Sequence, residues 1–554
     1  MSARALLPPL GAMGLLLIFV ALAADHIALP GYYYDEVLFV PVALRALGEC
    51  DIDAAVTSTL GCFPLMMMPY LGAVKAWLHA PIFAAFGVNP WTVRLPSILL
   101  SAASLAVVYR FTQRALGTSW ALAALAMLAV DPAMIWHTRI DWGPVVVATL
   151  CKLVALAALW TWLETGTMAA FCAVIAACAI GFIDKLNFLW VIVAYAIATA
   201  VVFPRKWWSM LRAGGPPQMW SAAVSAALLL FGILTLVLPA MDFPSPASAP
   251  PSDLVHHLHA IRALYATTFG GAGVLSLAFD IPFPTIHWPV YLLATQLAAA
   301  VVLIALAPTR GPSRRLLAFL TVVIVALLVQ LVATRRAGGT HHLFVMWPFP
   351  TLHLLALLRF VGDWLIDSGR LAPTIQARWR GATVAAFVSA ALLWAVPIDL
   401  AHARALRGAL PYRPFFDPAI ADLSARLAAL APERVLSIDW GLHQQLLTLA
   451  ESATRSSYRE WTWSFAEGTS KVMQALYRQQ LENHRVAFVR YADPVSSHRQ
   501  AVMGVEALLA AYPPCDIRRE TVNGSGGAPL YEIWIADFRE RCLAQNAPGH
   551  RVSQ

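Results

Sequence analysis

Residues 64–87 read "PLMMMPYLGAVKAWLHAPIFAAFG", and the side of the membrane given to every later loop depends on whether they cross it. The stretch is apolar enough to span a bilayer. Counted as a span, it reverses all the loops that follow. Pro64, Pro69, Pro81 and Lys75 interrupt it, which favours helices lying in the interface instead. With 64–87 left out and the N-terminus inside, eleven spans follow, centred near residues 15, 102, 127, 152, 176, 194, 229, 296, 324, 351 and 391. The inner loops then carry thirteen Arg and Lys against eight in the longer outer loops. That asymmetry is the positive-inside bias of a helical membrane protein.

Composition agrees. Of 554 residues, 59% are hydrophobic and 13% charged, with a mean hydropathy of +0.65; a soluble chain of this length needs more charge to cover its surface. The twenty tryptophans suit long membrane interfaces. A net charge of +8 raises the question of nucleic acid, but the basic residues sit in short loops between apolar runs, where they set topology. The opening "MSARALLPPLGAMGLLLIFVALAADH" reads as a retained first helix, because no clear small-x-small cleavage site precedes Asp25.

From about residue 401 the character changes. "ERVLSIDWGLHQQLLTLAES" reads as strand, turn and helix, "KVMQALYRQQLENH" as a helix, and "HRVAFVRYADP" and "PLYEIWIADF" as strands. The expected fold is therefore a polytopic α-helical membrane protein with about eleven transmembrane helices, residues 1–400, and a C-terminal periplasmic α/β domain, 401–554. Residues 25–92 form a long first periplasmic loop. Cys50 and Cys62 share that loop, and Cys515 and Cys542 share the outer domain; in an oxidising compartment each pair is a disulfide candidate. The alternative is four unrelated thiols, because spacing does not fix connectivity.

Four outer loops bring acid, base and cation to one surface. Asp35 and Glu36 follow the first span in "LPGYYYDEVLFVP" (29–41); Arg139 and Asp141 lie in "WHTRIDWGP" (136–144). Asp184 and Lys185 lie in "GFIDKLNF" (181–188), and His341 and His342 in "RRAGGTHHLFVMWPFP" (335–350). Charge beside a membrane is costly unless paired or hydrated, so such residues are functional candidates. A carboxylate can take a proton from an acceptor hydroxyl. Lys, Arg and His can hold a phosphate and stabilise the charge it gains on leaving. Together they point to transfer chemistry with a lipid phosphate as leaving group.

The pattern resembles the GT-C superfamily, specifically the bacterial members of glycosyltransferase family 39 related to protein O-mannosyltransferases and to the lipid A aminoarabinose transferase. The resemblance rests on "YYYDE" in a long first outer loop, "PYLGAVKAW" after it, "RIDWGP", the Lys after span five, "HHLFVMWPFP" and a trailing outer domain. It implies an inverting glycosyltransferase that takes a sugar from a polyprenyl-phosphate donor at the periplasmic face of a bacterial inner membrane. The acceptor would be a lipid, glycan or protein hydroxyl. It implies catalytic roles for Asp35, Glu36 and Asp141. Lys75, Arg139, Lys185, His341 and His342 would bind donor phosphate or sugar. No cofactor is firmly implied and a divalent metal is not favoured.

The residues also admit plainer readings. Asp35 and Glu36 suit the first turn of a helix, Arg139 and Asp141 an ion pair, and Lys185 a topology anchor beside Asp184. His341 and His342 would then cap a span facing water. Tyr32, Tyr33 and Tyr34 suit an interfacial aromatic belt. "HHLH" (256–259) lacks a clear fourth zinc ligand, Asp439 suits a turn, and "NGS" (523–525) is too short a pattern to carry weight. The rival functions are a transporter or flippase, against which stand the absence of repeated halves and the scarcity of charge within the spans, and a glycan ligase or polymerase.

Overall fold

The computed structural model describes residues 3–206, 208, 224, 254–280, 286–307, 311–334, 339–368, 373–463 and 477–539. The expected span near residue 229, the Pro-rich loop 244–253, Arg335, Arg336 and Cys542 lie outside them. The chain opens with α1 (Ala3–Ala24), α2 (Tyr34–Val37) and α3 (Phe39–Ala46), followed by β1 (Ser58–Leu60), β2 (Phe63–Met68), β3 (Leu71–Gly72) and α4 (Val74–Phe86). The bundle continues with α5 (Pro90–Leu116), α6 (Thr118–Ala129), α7 (Pro132–Ile140), α8 (Val146–Thr165), α9 (Met168–Asp184) and α10 (Leu189–Val202). Further helices run over Leu254–Phe269, Trp288–Leu306, Pro312–Thr334, Phe349–Asp367 and Pro373–Arg404.

Each expected span centre except that near 229 falls on one of these helices. The count of eleven is nevertheless not reached. Among the described residues six helices are long and apolar enough to cross a membrane by themselves, or up to seven with α6 and α7 taken as one span bent by 58°. The rest are shorter apolar helices, such as Met168–Asp184. The bend has a cause: Asp131 ends the first piece, and its Oδ1 accepts from Ala133 N at 3.0 Å to cap the second. Pro132 occupies the first helical position.

The segment 64–87 divides differently from expectation. Its first part is strand, not helix: β2 pairs antiparallel with β1 and β3. Only α4 is helical, and 13 residues at 1.5 Å each reach about 20 Å, short of the ~30 Å hydrocarbon core. The tip of the sheet docks on the turn after α9, where Leu71 bridges Lys185 and Leu186 N donates to Tyr70 O at 3.1 Å. Cys50 and Cys62 form the expected disulfide, Cα atoms 5.6 Å apart.

The C-terminal region contains a sheet of β4 (Arg434–Ser437), β5 (Tyr458–Glu460), β6 (Arg485–Tyr491), β7 (Asp516–Asn523) and β8 (Pro529–Asp537), in the order β5-β4-β6-β8-β7. β4, β5 and β6 run parallel, while β8 is antiparallel to β6 and β7. Strands β5 and β7 were not legible beforehand; β7 is largely exposed and lacks an apolar pattern. β6 is buried on both faces, as a central strand must be. One face packs on helix Arg499–Ala511. The other shares a single apolar core with the first loop: Tyr32, Tyr34, Phe39, Met67 and Phe83 cluster with Ile420, Leu446, Val489 and Ile533. The three tyrosines are buried in protein contacts, not spread in an interfacial belt.

Candidate active site

The turn at 141–143 is the point where the separate loops meet. Asp141 leaves α7 with φ 43°, a left-handed conformation. Its Oδ1 accepts from Val145 N at 2.8 Å and Val146 N at 3.0 Å, which starts α8. Its Oδ2 lies 2.7 Å from Lys75 Nζ, and both side chains are 2% exposed. Trp142 Nε1 donates to Asp35 Oδ2 at 2.9 Å. Lys185 Nζ donates to the Gly143 carbonyl. The Trp142 ring lies 5.0 Å from His341, and the His341 and His342 rings are 4.1 Å apart. Gly143 has φ +65°, and a Cβ there would sit 2.6 Å from His341 Cδ2; only glycine meets both demands.

Asp35 is half-buried. Burial raises its pKa above the ordinary carboxylate value, while the Trp142 hydrogen bond and the nearby Lys185 charge act in the opposite direction. A small cleft nearby is lined among others by Thr149, Lys152, Lys185, Asn187, His341 and Phe344. The 141–143 turn therefore touches a carboxylate, Asp35, a cation, Lys185, and a ring-nitrogen group, His341.

Four expected site residues are occupied otherwise. Glu36 is 1% exposed and paired with Arg94, Nε to Oε1 at 2.5 Å and Nη2 to Oε2 at 2.9 Å. That makes it an anchor for α2, not a group open to substrate. Arg139 donates to the carbonyls of His26 at 3.1 Å, Leu29 at 2.8 Å and Asp25. Its guanidinium clamps the chain after α1, as Arg94 also does through Ile27 O at 2.7 Å and Pro30 O at 3.0 Å. Lys75 is engaged by Asp141 and packs over the Phe39 ring at 3.9 Å. Asp141 consequently reads as the joint between α4, α7 and α8. Cys515 cannot be matched with Cys542, which is outside the described residues.

Sequence reasoning missed Arg94 and Lys152. Lys152, in the middle of α8, is 2% exposed and donates to Val345 O at 2.9 Å, Phe344 O at 3.4 Å and Trp347 O. These carbonyls are freed where the chain breaks between helices after His341. A lone lysine inside an otherwise apolar span was the signal. Among the described residues no group of three or more His, Cys, Asp or Glu could hold a metal ion.

Residues 72–235 match the family model described as dolichyl-phosphate-mannose-protein mannosyltransferase. No curated protein matches the chain. Among solved structures, ArnT from Cupriavidus metallidurans bound to undecaprenyl phosphate superposes with a TM-score of 0.53 at 14% identity, covering 96% of this chain and 98% of that one. The arabinofuranosyltransferase AftD from Mycobacteria gives a TM-score of 0.50 at 15% identity, covering 97% of this chain and 40% of its own. At such identities the likeness is one of fold. The chain is thus a multi-pass membrane protein by its apolar helices, similar over residues 72–235 to the protein mannosyltransferases and similar in fold to ArnT.

Proposed function

We propose that this chain is an inverting, lipid-linked glycosyltransferase working at the outer, periplasmic face of a bacterial inner membrane. The observation that carries the reading is the meeting of a half-buried Asp35, aimed by Trp142 Nε1, with Lys185 and His341 at the 141–143 turn, near a cleft that the latter two line. The acceptor hydroxyl attacks the anomeric carbon as the carbon–oxygen bond to phosphate breaks. Asp35 takes the hydroxyl proton, and polyprenyl phosphate leaves with the bonding electrons toward Lys185, His341 and His342. A positioned base contributes roughly 10²–10⁴-fold. Preorganised cations at the leaving phosphate supply the larger electrostatic part. Glu36, Arg94, Arg139, Lys75 and Asp141 hold the loops that carry these groups. The lipid tail lies against the apolar helices beneath; the ArnT structure was obtained with undecaprenyl phosphate, which supports a polyprenyl carrier for this chain as well.

Replacing Asp35 by Asn removes the base and leaves the cation side intact, so donor should bind and fail to react. Native mass spectrometry of the Asp35→Asn protein purified with its lipids is expected to show a polyprenyl-phosphate sugar in excess over wild type. The mass would also name the sugar. A variant carrying no polyprenyl lipid, or turning over at the wild-type rate, contradicts the reading.

A further inference from the structure

The carboxyl ends of the parallel strands β4, β5 and β6 face the Tyr32–Glu36 segment, and in open α/β sheets that end is where ligands bind. The seating is tight. Gln445 Nε2 donates to Tyr32 O, and the Trp440 ring lies 5.4 Å from that of Tyr34 and 6.4 Å from that of Tyr33. Asp53 of the first loop reaches across, its Oδ2 accepting from Glu460 N at 2.9 Å and its carbonyl lying 2.7 Å from His443 Nε2.

Two acids sit at these strand ends, and they differ. Asp439 is fully used: its Oδ1 accepts from Trp440 N at 2.9 Å, Ser497 N at 3.2 Å, Ser497 Oγ at 3.1 Å and His498 N at 3.2 Å. It ties two loops together. Glu460 is less fully used: Trp463 hydrogen-bonds its carboxylate and His443 lies nearby. Its Oε1 is buried without a hydrogen-bond partner, and among the described residues no cation forms an ion pair with it. A buried acceptor left open is costly, and a group so placed is explained by a ligand. The Tyr34 hydroxyl is turned toward the Gln444 amide and feels the charges of both Glu460 and Asp35. The Tyr34 phenol is thus close enough to both carboxylates to feel their charge. Trp463, beside Glu460, is 57% exposed.

We propose that Glu460 binds the acceptor, and that the acceptor is a carbohydrate. This rests on Asp35 being the acceptor-side base. Two carboxylates, a phenol and an amide accept hydrogen bonds from ring hydroxyls, and exposed tryptophan offers an apolar face to the C–H side of a sugar. The same carboxylates repel a phosphate or carboxylate group, so an anionic acceptor head is disfavoured here.

The test uses the full chain in nanodiscs and two probes. Saturation-transfer NMR is recorded with a panel of methyl glycosides, and undecaprenyl phosphate binding is measured on the same samples, for wild type, Glu460→Gln and Glu460→Asp. Wild type is expected to saturate at least one glycoside. Both variants are expected to bind it about tenfold more weakly or worse while holding undecaprenyl phosphate as wild type does. Glycoside binding indifferent to Glu460, no glycoside binding by a wild type that holds undecaprenyl phosphate, or Glu460-dependent saturation of a serine/threonine peptide in place of a glycoside each overturns the inference. Failure of wild type to bind undecaprenyl phosphate instead overturns the donor reading, whatever the glycosides do.

Discussion

Asp35 works as a base only when ionised, so transfer should rise with pH through its pKa. Burial places that pKa above the ordinary carboxylate value, and the acid limb of the rate profile should lie above the ~3.9 of a free aspartate. Trp142 Nε1 donates to the carboxylate and favours its anion. Trp142→Phe removes that donor, raises the pKa further, and should move the acid limb to higher pH. Initial rates across pH for both proteins check it; an unmoved limb would mean that Asp35 is not the group titrating. Asp35, Lys185, His341 and His342 stood out in the sequence because a charge beside a membrane needs a reason, and the structure gathers them around the 141–143 turn. The demotion of Glu36 was not legible. Its partner Arg94 lies 58 residues away, and nothing local announces a buried pair.

At the scale of elements, two arginines from different helices hold the chain between α1 and α2 by its carbonyls. Arg94→Ala would leave Glu36 buried without its cation, which costs roughly 3–5 kcal/mol. Thermal unfolding in detergent should show that loss, and Arg94→Ala with Glu36→Ala should recover part of it, since the stranded charge is gone. Equal midpoints for wild type and Arg94→Ala would deny the pair its structural role. The segment 64–87 shows where pattern reading stops. Its apolar run and prolines identified a non-spanning element. They did not separate the strand Phe63–Met68 from the helix Val74–Phe86, because a short apolar run fits either period and the pairing of β2 with β1 and β3 decided it.

At the scale of the molecule, the first loop and the C-terminal sheet share one core, so neither folds against water alone. Truncation after residue 400 should expose Tyr32, Tyr34, Phe39 and Met67 and yield a protein that aggregates on extraction. Size-exclusion chromatography reports this; a monodisperse truncated protein would mean that the loop is self-sufficient. The sheet domain was visible in the sequence as alternating strand and helix patterns. Its union with the loop was not, because the contacts bridge nearly 400 residues of chain, as between Asp53 and His443. Among the described residues the count of eleven is not reached for a related reason: apolar runs near 127, 176 and 194 mark helices, but bends and early ends depend on residues such as Asp131 and on the docked hairpin.

The central claim is that the 141–143 turn separates an acceptor base from a phosphate site. Determining the structure of the full chain with undecaprenyl phosphate tests it most directly. The account predicts phosphate density in the cleft near Trp142, in contact with Lys185 and with His341 or His342, and with Asp35 across the turn from it. Phosphate bound elsewhere, or Lys185 still held on the Gly143 carbonyl with the cleft empty under saturating lipid, would contradict it.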